Sequence, residues 1–193
     1  MQATTNNIFT GDFINNTAAL NGGGVNYRQT PHNITFNGNF IGNNAPSGGG
    51  VNFFESFENV IFNGEFIGNS AINGGAIAAG EGTIKEVSFK NNCAENGGAI
   101  YFANVSEIMN CNFTANTASN GRAGAVYFYS TGNVTNCNFI KNTANDDGGA
   151  VYFNSSGSIE KCIFTDNSAR YGGAVYFIGN GELIDCCRQE QQV

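Results

Sequence analysis

The stretch CIFTDNSARYGGAVYFIG, residues 162–179, decides the fold. It opens with Phe164, followed three positions later by Asn167 and two further on by Ala169. A pair of glycines then precedes Ala174 and Val175, and an apolar run ends the stretch. Short runs rich in Val, Ile, Phe and Tyr, separated by Gly, Asn, Ser and Asp, indicate strands joined by tight turns.

Both halves of this stretch recur along the chain in fixed phase, at spacings of 23 to 27 residues. The pattern F-x-x-N-x-A begins at Phe13, Phe40, Phe66, Phe89, Phe113, Phe139 and Phe164. The glycine-containing pattern ends at Val25, Val51, Ile77, Ile100, Val126, Val151 and Val175. A fixed period in this range indicates a repeat architecture rather than an ordinary globular domain.

The repeat length predicts an all-β fold, a right-handed single-stranded parallel β-helix of about seven coils of roughly 25 residues. At about 3.3 Å of rise per residue, one repeat winds once around three short faces. Coils stacked about 4.8 Å apart pair each strand with its copy above and below, and parallel crossovers favour the right hand. A left-handed helix of hexapeptides needs aliphatic residues every six positions, which the chain lacks.

Alternation within the strands predicts which side chains face the core. In the last complete repeat, Val175 and Phe177 share one side and Tyr176 lies on the other. The more apolar pair is expected to face inward. Cys111, Cys137 and Cys162 each lie two positions before a motif Phe and are also expected to point inward. The outward tyrosines are expected to stack in a column formed by Tyr101, Tyr127, Tyr152 and Tyr176.

The motif asparagines fall where a strand ends and the chain must turn. A buried amide at that point can bond to turn backbone and to the amide one coil away, satisfying groups that cost about 1 to 3 kcal/mol each when unpaired. We therefore expect a buried structural ladder of Asn16, Asn43, Asn69, Asn92, Asn116, Asn142 and Asn167.

Composition narrows the functional classes. The net charge is −7 with only eight Lys plus Arg, which argues against nucleic acid and anionic membrane surfaces as partners. No run of 18 apolar residues occurs, so no membrane insertion is expected within this segment. The repeat is interrupted at both ends, so residues 1–193 are expected to be one β-helix segment of a larger surface protein.

The two motifs together resemble the polymorphic outer membrane protein (Pmp-type) repeat of chlamydial autotransporters, which also occurs in adhesin-like surface proteins of methanogenic archaea and other microbes. The resemblance covers Ile8 to about Cys187. It implies a right-handed β-helix, an extracellular place at the cell surface or cell wall (the outer membrane for an autotransporter passenger), and adhesion. The chain departs from the motif at Ala123-Gly124, and Arg188 stands where Phe belongs.

Candidate chemistry is sparse in the sequence. A single His and no C-x-x-C pair offer no usual metal-ligand set, and no cofactor is expected. The cysteines are expected to form a reduced apolar stack, because parallel neighbours give poor disulfide geometry. An enzyme of this fold would cleave polysaccharides with clustered acids, for which the candidates are Asp146, Asp147, Asp166 and Asp185. Two of them align with arginines, giving the expected pairs Arg122 with Asp147 and Arg170 with Asp146.

Three functions stay open at this point. The favoured hypothesis is a non-catalytic adhesin-like module that binds a surface glycan or a protein of another cell, with the tyrosine column as a sugar-stacking platform. The alternatives are a β-helical polysaccharide lyase or hydrolase and a passive spacer. Because each coil of a solenoid is covered only by its neighbours, the isolated chain is also expected to associate end to end.

Overall fold

The computed structural model describes the backbone of residues 7–188 and the side chains of residues 7–186, which contain strands and no helix. In chain order the strands are β1 (Asn7–Thr10), β2 (Phe13–Ile14), β3 (Val25–Tyr27), β4 (His32–Asn37), β5 (Phe40–Ile41), β6 (Val51–Ser56), β7 (Glu58–Phe62), β8 (Glu65–Ile67), β9 (Ile77–Glu81), β10 (Thr83–Lys85), β11 (Ser88–Lys90), β12 (Cys93–Ala94), β13 (Ile100–Phe102), β14 (Ser106–Met109), β15 (Asn112–Thr114), β16 (Thr117–Ala118), β17 (Val126–Phe128), β18 (Gly132–Thr135), β19 (Asn138–Ile140), β20 (Thr143–Ala144), β21 (Val151–Phe153), β22 (Gly157–Glu160), β23 (Ile163–Thr165), β24 (Val175–Phe177), β25 (Gly181–Ile184) and β26 (Cys187–Arg188).

Successive copies of each strand stack in parallel, so the chain is a β-solenoid of about seven coils, as the repeat predicts. Each coil runs through face 1, face 2 and face 3 in that order. Face 2 is one continuous sheet, β2-β5-β8-β11-β15-β19-β23-β26, and face 3 is another, β3-β6-β9-β13-β17-β21-β24. A short sheet, β12-β16-β20, lies at the corner between them.

Aromatic rings fill the core behind these sheets. The motif phenylalanines of face 2 stack with ring centroids 4.6 to 5.2 Å apart along the whole solenoid. Face 3 adds a second stack in its last coils, with Phe128 4.9 Å from Phe153 and Phe153 4.7 Å from Phe177. Cys111, Cys137 and Cys162 are buried beside the first stack, on the side that alternation predicts.

The motif asparagines form a hydrogen-bonded ladder at the corner after face 2. Each Nδ2 donates to the Oδ1 of the asparagine one coil on, at 2.9 to 3.0 Å, from Asn16 to Asn167. From Asn43 onward, each Oδ1 also accepts the backbone N–H of the preceding asparagine, and each Nδ2 donates to a motif Phe carbonyl. The five central members are fully buried, as expected. The expectation of burial is wrong for Asn16, which is exposed, and for Asn167, which is half-buried, because both lie in the end coils of the described stack and are covered from one side only.

The two glycines of the second motif have different tasks. The first adopts a left-handed backbone, as at Gly97 with φ of 62°. The second glycine packs against the next coil. A β-carbon on Gly124 would lie 2.1 Å from the carbonyl oxygen of Gly149, a clash that excludes any larger residue. Ala123 occupies the first position in its coil and adopts the same left-handed backbone, with φ of 64°, at a conformational cost that Gly does not have.

Face 1 is divided into two sheets, β1-β4-β7 and β10-β14-β18-β22-β25. The division follows the length of the arc, which we define as the segment from the first residue of face 3 to the motif Phe of the next coil. Phe66 follows Val51 by 15 positions, whereas Phe89 follows Ile77 by only 12. The shorter arc cannot follow the longer one, so strand pairing stops between β7 and β10.

Candidate functional site

The predicted tyrosine column stands on the outer side of face 3. Its rings stack with centroids 5.0 Å apart between Tyr101 and Tyr127, 4.9 Å between Tyr127 and Tyr152, and 5.6 Å between Tyr152 and Tyr176. Strand register places them there, because these residues pair with one another directly across β13, β17, β21 and β24. The column is thus set by the repeat itself.

The middle of the column is covered, which corrects the expectation of an open stacking platform. Tyr152 has no exposed surface and Tyr127 is 7% exposed, so neither presents a ring face to a ligand. The guanidinium of Arg122 lies 5.2 Å from the centre of the Tyr152 ring, and its Nε donates to Asp147 Oδ2 at 2.8 Å. Ala123 packs against the same two rings. Only Tyr101 and Tyr176, at the two ends, stay half-exposed.

The covering side chains come from lengthened corners. Val126 follows Ala118 by eight positions and Val151 follows Ala144 by seven, compared with six from Ala94 to Ile100. The additional residues carry the Arg122 corner over the column. Burial raises the pKa of both Tyr127 and Tyr152, so these phenols stay protonated beyond the usual range of tyrosine.

The four candidate acids have different surroundings. Asp147 is engaged with Arg122, as predicted. The second predicted pair is wrong: within the described residues, Arg170 forms no ion pair with Asp146 and lies over the ring of Tyr171, with 5.2 Å to its centre. Asp166 and Asp185 both have positive φ, and they occupy turns after different faces, β23 of face 2 and β25 of face 1.

The cysteine column is a stack of buried thiols. Among the described residues Cys111, Cys137 and Cys162 are free, and the backbone N–H of each of the first two donates to the sulfur one coil on, at 3.3 Å. The side-chain hydrogen bond with Cys111 raises the pKa of Cys137 to about 12, and burial acts in the same direction. The described residues contain no group of three His, Cys, Asp or Glu side chains placed to hold a metal ion.

Sequence reasoning missed a cleft at the division of face 1. We name it the junction cleft. It has a volume of about 390 Å³ and is lined by Phe57, Glu58, Asn59, Val60, Gly82, Thr83 and Lys85. The drop in arc length from 15 to 12 positions is the signal in the sequence that could have located it.

The parallel stacking of successive strands and the asparagine ladder define a repeat protein of the parallel β-solenoid class. Three segments of the chain, residues 86–103, 136–154 and 161–180, match the Chlamydia polymorphic membrane protein repeat. The chain therefore carries the Pmp-type repeat, as the resemblance of its motifs predicts, and the match suggests a β-helical protein of the cell surface. No curated protein and no solved structure is significantly similar to the chain. The described residues form no helix of the length and apolarity needed to cross a membrane.

Proposed function

We propose that the chain is a cell-surface module that projects from the cell and mediates adhesion to a host, cell or glycan surface without catalysing a reaction. The observation that carries this proposal is the set of Pmp-type repeat matches on a solenoid whose faces 2 and 3 run unbroken through the described coils. Such a stack holds side chains in rows along an extended surface, which suits contact with another surface.

The distribution of polar groups supports binding over hydrolysis. Hydrolysis of a glycosidic bond uses two carboxyl groups that flank the bond. Here Asp147 is bonded to Arg122, and Asp166 and Asp185 lie on turns of different faces. The half-exposed rings of Tyr101 and Tyr176 offer flat apolar area with a polar tip, which suits a sugar ring or an apolar protein side chain.

Retention under flow tests the proposal. Microspheres that display the 193-residue chain would be passed over cultured epithelial cells and over a printed glycan array, with uncoated microspheres as the control. We expect retention on at least one of these surfaces and its loss when soluble chain is added in excess. No retention on either surface would contradict adhesion and would favour a passive spacer.

Enzymatic activity is tested separately. The chain would be incubated with polygalacturonate, heparosan and peptidoglycan, and new reducing ends and unsaturated products would be measured over a day. We expect none above the level of a boiled sample. Release of products that scales with protein concentration would contradict a non-catalytic module and favour a β-helical lyase or hydrolase.

A further inference from the structure

We propose that the junction cleft binds one saccharide residue that carries a carboxylate. The inference rests on the proposed function in that it supplies one glycan site for an adhesive surface. It is drawn from three features of the cleft: its two open strand edges, its mixed lining and its cation.

Two strand edges face each other across the cleft. Within the described residues β7 pairs only with β4, and β10 pairs only with β14. The edges turned towards the cleft therefore carry backbone groups that have no strand partner and can bond to a ligand. Elsewhere on faces 1 to 3 the described edges of this kind lie at the ends of the stack.

The shape of the opening favours a compact ligand over an extended peptide. On one side the cleft is closed by the backbone N–H of Phe57, which donates to the Glu81 carbonyl at 3.1 Å. On the other side it is closed by β8 and β11, which pair from Glu65 and Ser88 onward. An added strand would have to break these bonds, whereas a volume of about 390 Å³ is within the range of sites for small molecules.

The lining suits a sugar ring. Val60 and Phe57 are 6% and 3% exposed and form an apolar floor, while Asn59 and Thr83 offer an amide and a hydroxyl. Gly82 keeps this floor in place, because a β-carbon there would lie 2.4 Å from the Phe57 ring. Sugar hydroxyls both donate and accept hydrogen bonds, and they therefore match a wall that contains donors and acceptors together.

The charged side chains of the lining are Glu58 and Lys85. Glu58 Oε2 is hydrogen-bonded to His32 Nδ1 at 3.0 Å, which directs this carboxylate towards His32 of β4, outside the cleft lining. Within the described residues Lys85 forms no ion pair, which leaves its ammonium group available to a ligand. A carboxylate on the sugar would provide the missing partner, with charge-assisted hydrogen bonds from the ammonium group.

Titration with matched sugars tests the ligand class. The probes are 3′-sialyllactose against lactose and glucuronic acid against glucose, followed by isothermal calorimetry and by nuclear magnetic resonance shifts of the amides in β7 and β10. We expect a dissociation constant of about 1 mM for an acidic probe and binding about fivefold weaker for its neutral counterpart. Binding of neither acidic probe, or equal binding within each pair, would overturn the inference.

Two pairs of variants test the place of binding. Lys85→Gln and Lys141→Gln lower the net charge equally, but only Lys85 lines the cleft. Asn59 and Asn33 both have left-handed backbones, with φ of 51° and 54°, so glycine fits at each. Both glycine variants lose the hydrogen bond between these side chains, and only Asn59→Gly alters the lining.

We expect Lys85→Gln and Asn59→Gly to weaken the binding of the acidic probe about fivefold, and Lys141→Gln and Asn33→Gly to leave it within about twofold. Equal losses within each pair would overturn the cleft as the site. Should microspheres stay attached to cells while no acidic sugar binds in solution, this inference fails and the proposed adhesion stands. If the microspheres do not attach to cells although an acidic sugar binds in solution, the proposed adhesion fails and this inference stands.

Discussion

The first three coils, residues 7–81, differ from the later ones, residues 83–188, in the length of the arc that forms face 1. In the first group Phe40 and Phe66 each lie 15 positions beyond the start of the preceding face 3. In the second group the interval is 12 positions to Phe89 and 13 to Phe113. Faces 2 and 3 continue across this change, and only face 1 divides.

The difference shows what a solenoid requires of its repeat. The two motifs fix faces 2 and 3, because the Phe stack and the asparagine ladder need the same residue at the same place in every coil. Face 1 has no residue of one type in every coil: Phe9, Phe36 and Phe62 stack in the first three coils only, and the length of face 1 therefore varies with the arc. All three repeat matches fall at residue 86 or later, in the coils with the shorter arcs. The junction cleft thus lies at the place where the arc length changes in an otherwise regular stack.

The largest expected effect is the loss of stability when a core phenylalanine is truncated, compared between the later coils and the junction cleft. Phe113 is fully buried among stacked rings, with neighbours 4.9 and 4.8 Å away, so Phe113→Ala should lower the free energy of unfolding by about 3 to 5 kcal/mol. Phe57 borders the junction cleft, where water can fill the space, so Phe57→Ala should cost about half as much. Urea unfolding followed by circular dichroism measures both. Equal losses would mean that the cleft is closed in solution.

The next effect concerns the asparagine ladder. Asn116→Ala removes the acceptor of the Asn92 backbone N–H and side-chain amide, and the donor to the Phe89 carbonyl. The bond from Asn116 Nδ2 to Asn142 Oδ1 is lost as well. Four lost hydrogen bonds at about 1 kcal/mol each should destabilise the chain by about 3 to 4 kcal/mol. Asn16→Ala, at the exposed end of the ladder, should cost under about 1 kcal/mol. A small loss for Asn116→Ala in the same urea experiment would contradict the ladder as a source of stability.

Alkaline pH should weaken the later coils through the cysteine column. The pKa of Cys137 is raised to about 12, from a usual value of 9.0, so between these values the unfolded chain loses the thiol proton and the folded chain retains it. Stability is therefore full below pH 9 and falls as the pH rises, by about 1.4 kcal/mol at pH 10 for this thiol.

The raised pKa values of Cys162, Tyr101, Tyr127 and Tyr152 act in the same direction. All of these residues lie in the later coils, whereas the first three coils contribute only Tyr27 among the described groups with a raised pKa. Thermal unfolding at pH 7 and pH 10 measures the effect, and Cys137→Ala should reduce the difference between the two. If Cys137→Ala loses as much thermal stability between pH 7 and pH 10 as the unsubstituted chain, the cysteine column does not contribute to the pH dependence.

Much of the fold follows from the sequence, because the repeated residues are those that stacking requires. Phe139 and Asn142 recur in phase with their copies, and the phase alone places them in one column and one ladder. The junction cleft does not follow from any one repeat, since it arises from two successive arcs that differ in length. The cover over Tyr152 likewise comes from a corner extended by two residues in the preceding coil. The right-handed coil stays a prediction from the rule for parallel crossovers.

The weakest expected effect is an association between molecules, in which the first coils of one chain contact the last coils of another. Within the described residues 7–188, β1, β2 and β3 have a strand partner on one side only, as do β24, β25 and β26, and Ile8 and Leu183 are 63% and 58% exposed there. Open strand edges with exposed apolar side chains promote further pairing, so we propose that the 193-residue chain associates end to end. The contact brings the first coils of one molecule against the last coils of another, and their arcs differ in length. Face 1 should therefore stay unpaired, and the association should be weak, with a dissociation constant of about 0.1 mM or above. Sedimentation velocity across that range measures it, with Ile8→Lys and Leu183→Lys as the variants that should stay monomeric. A bare chain that is monomeric at every concentration would contradict the association, and a tight dimer would contradict the mismatch of arcs.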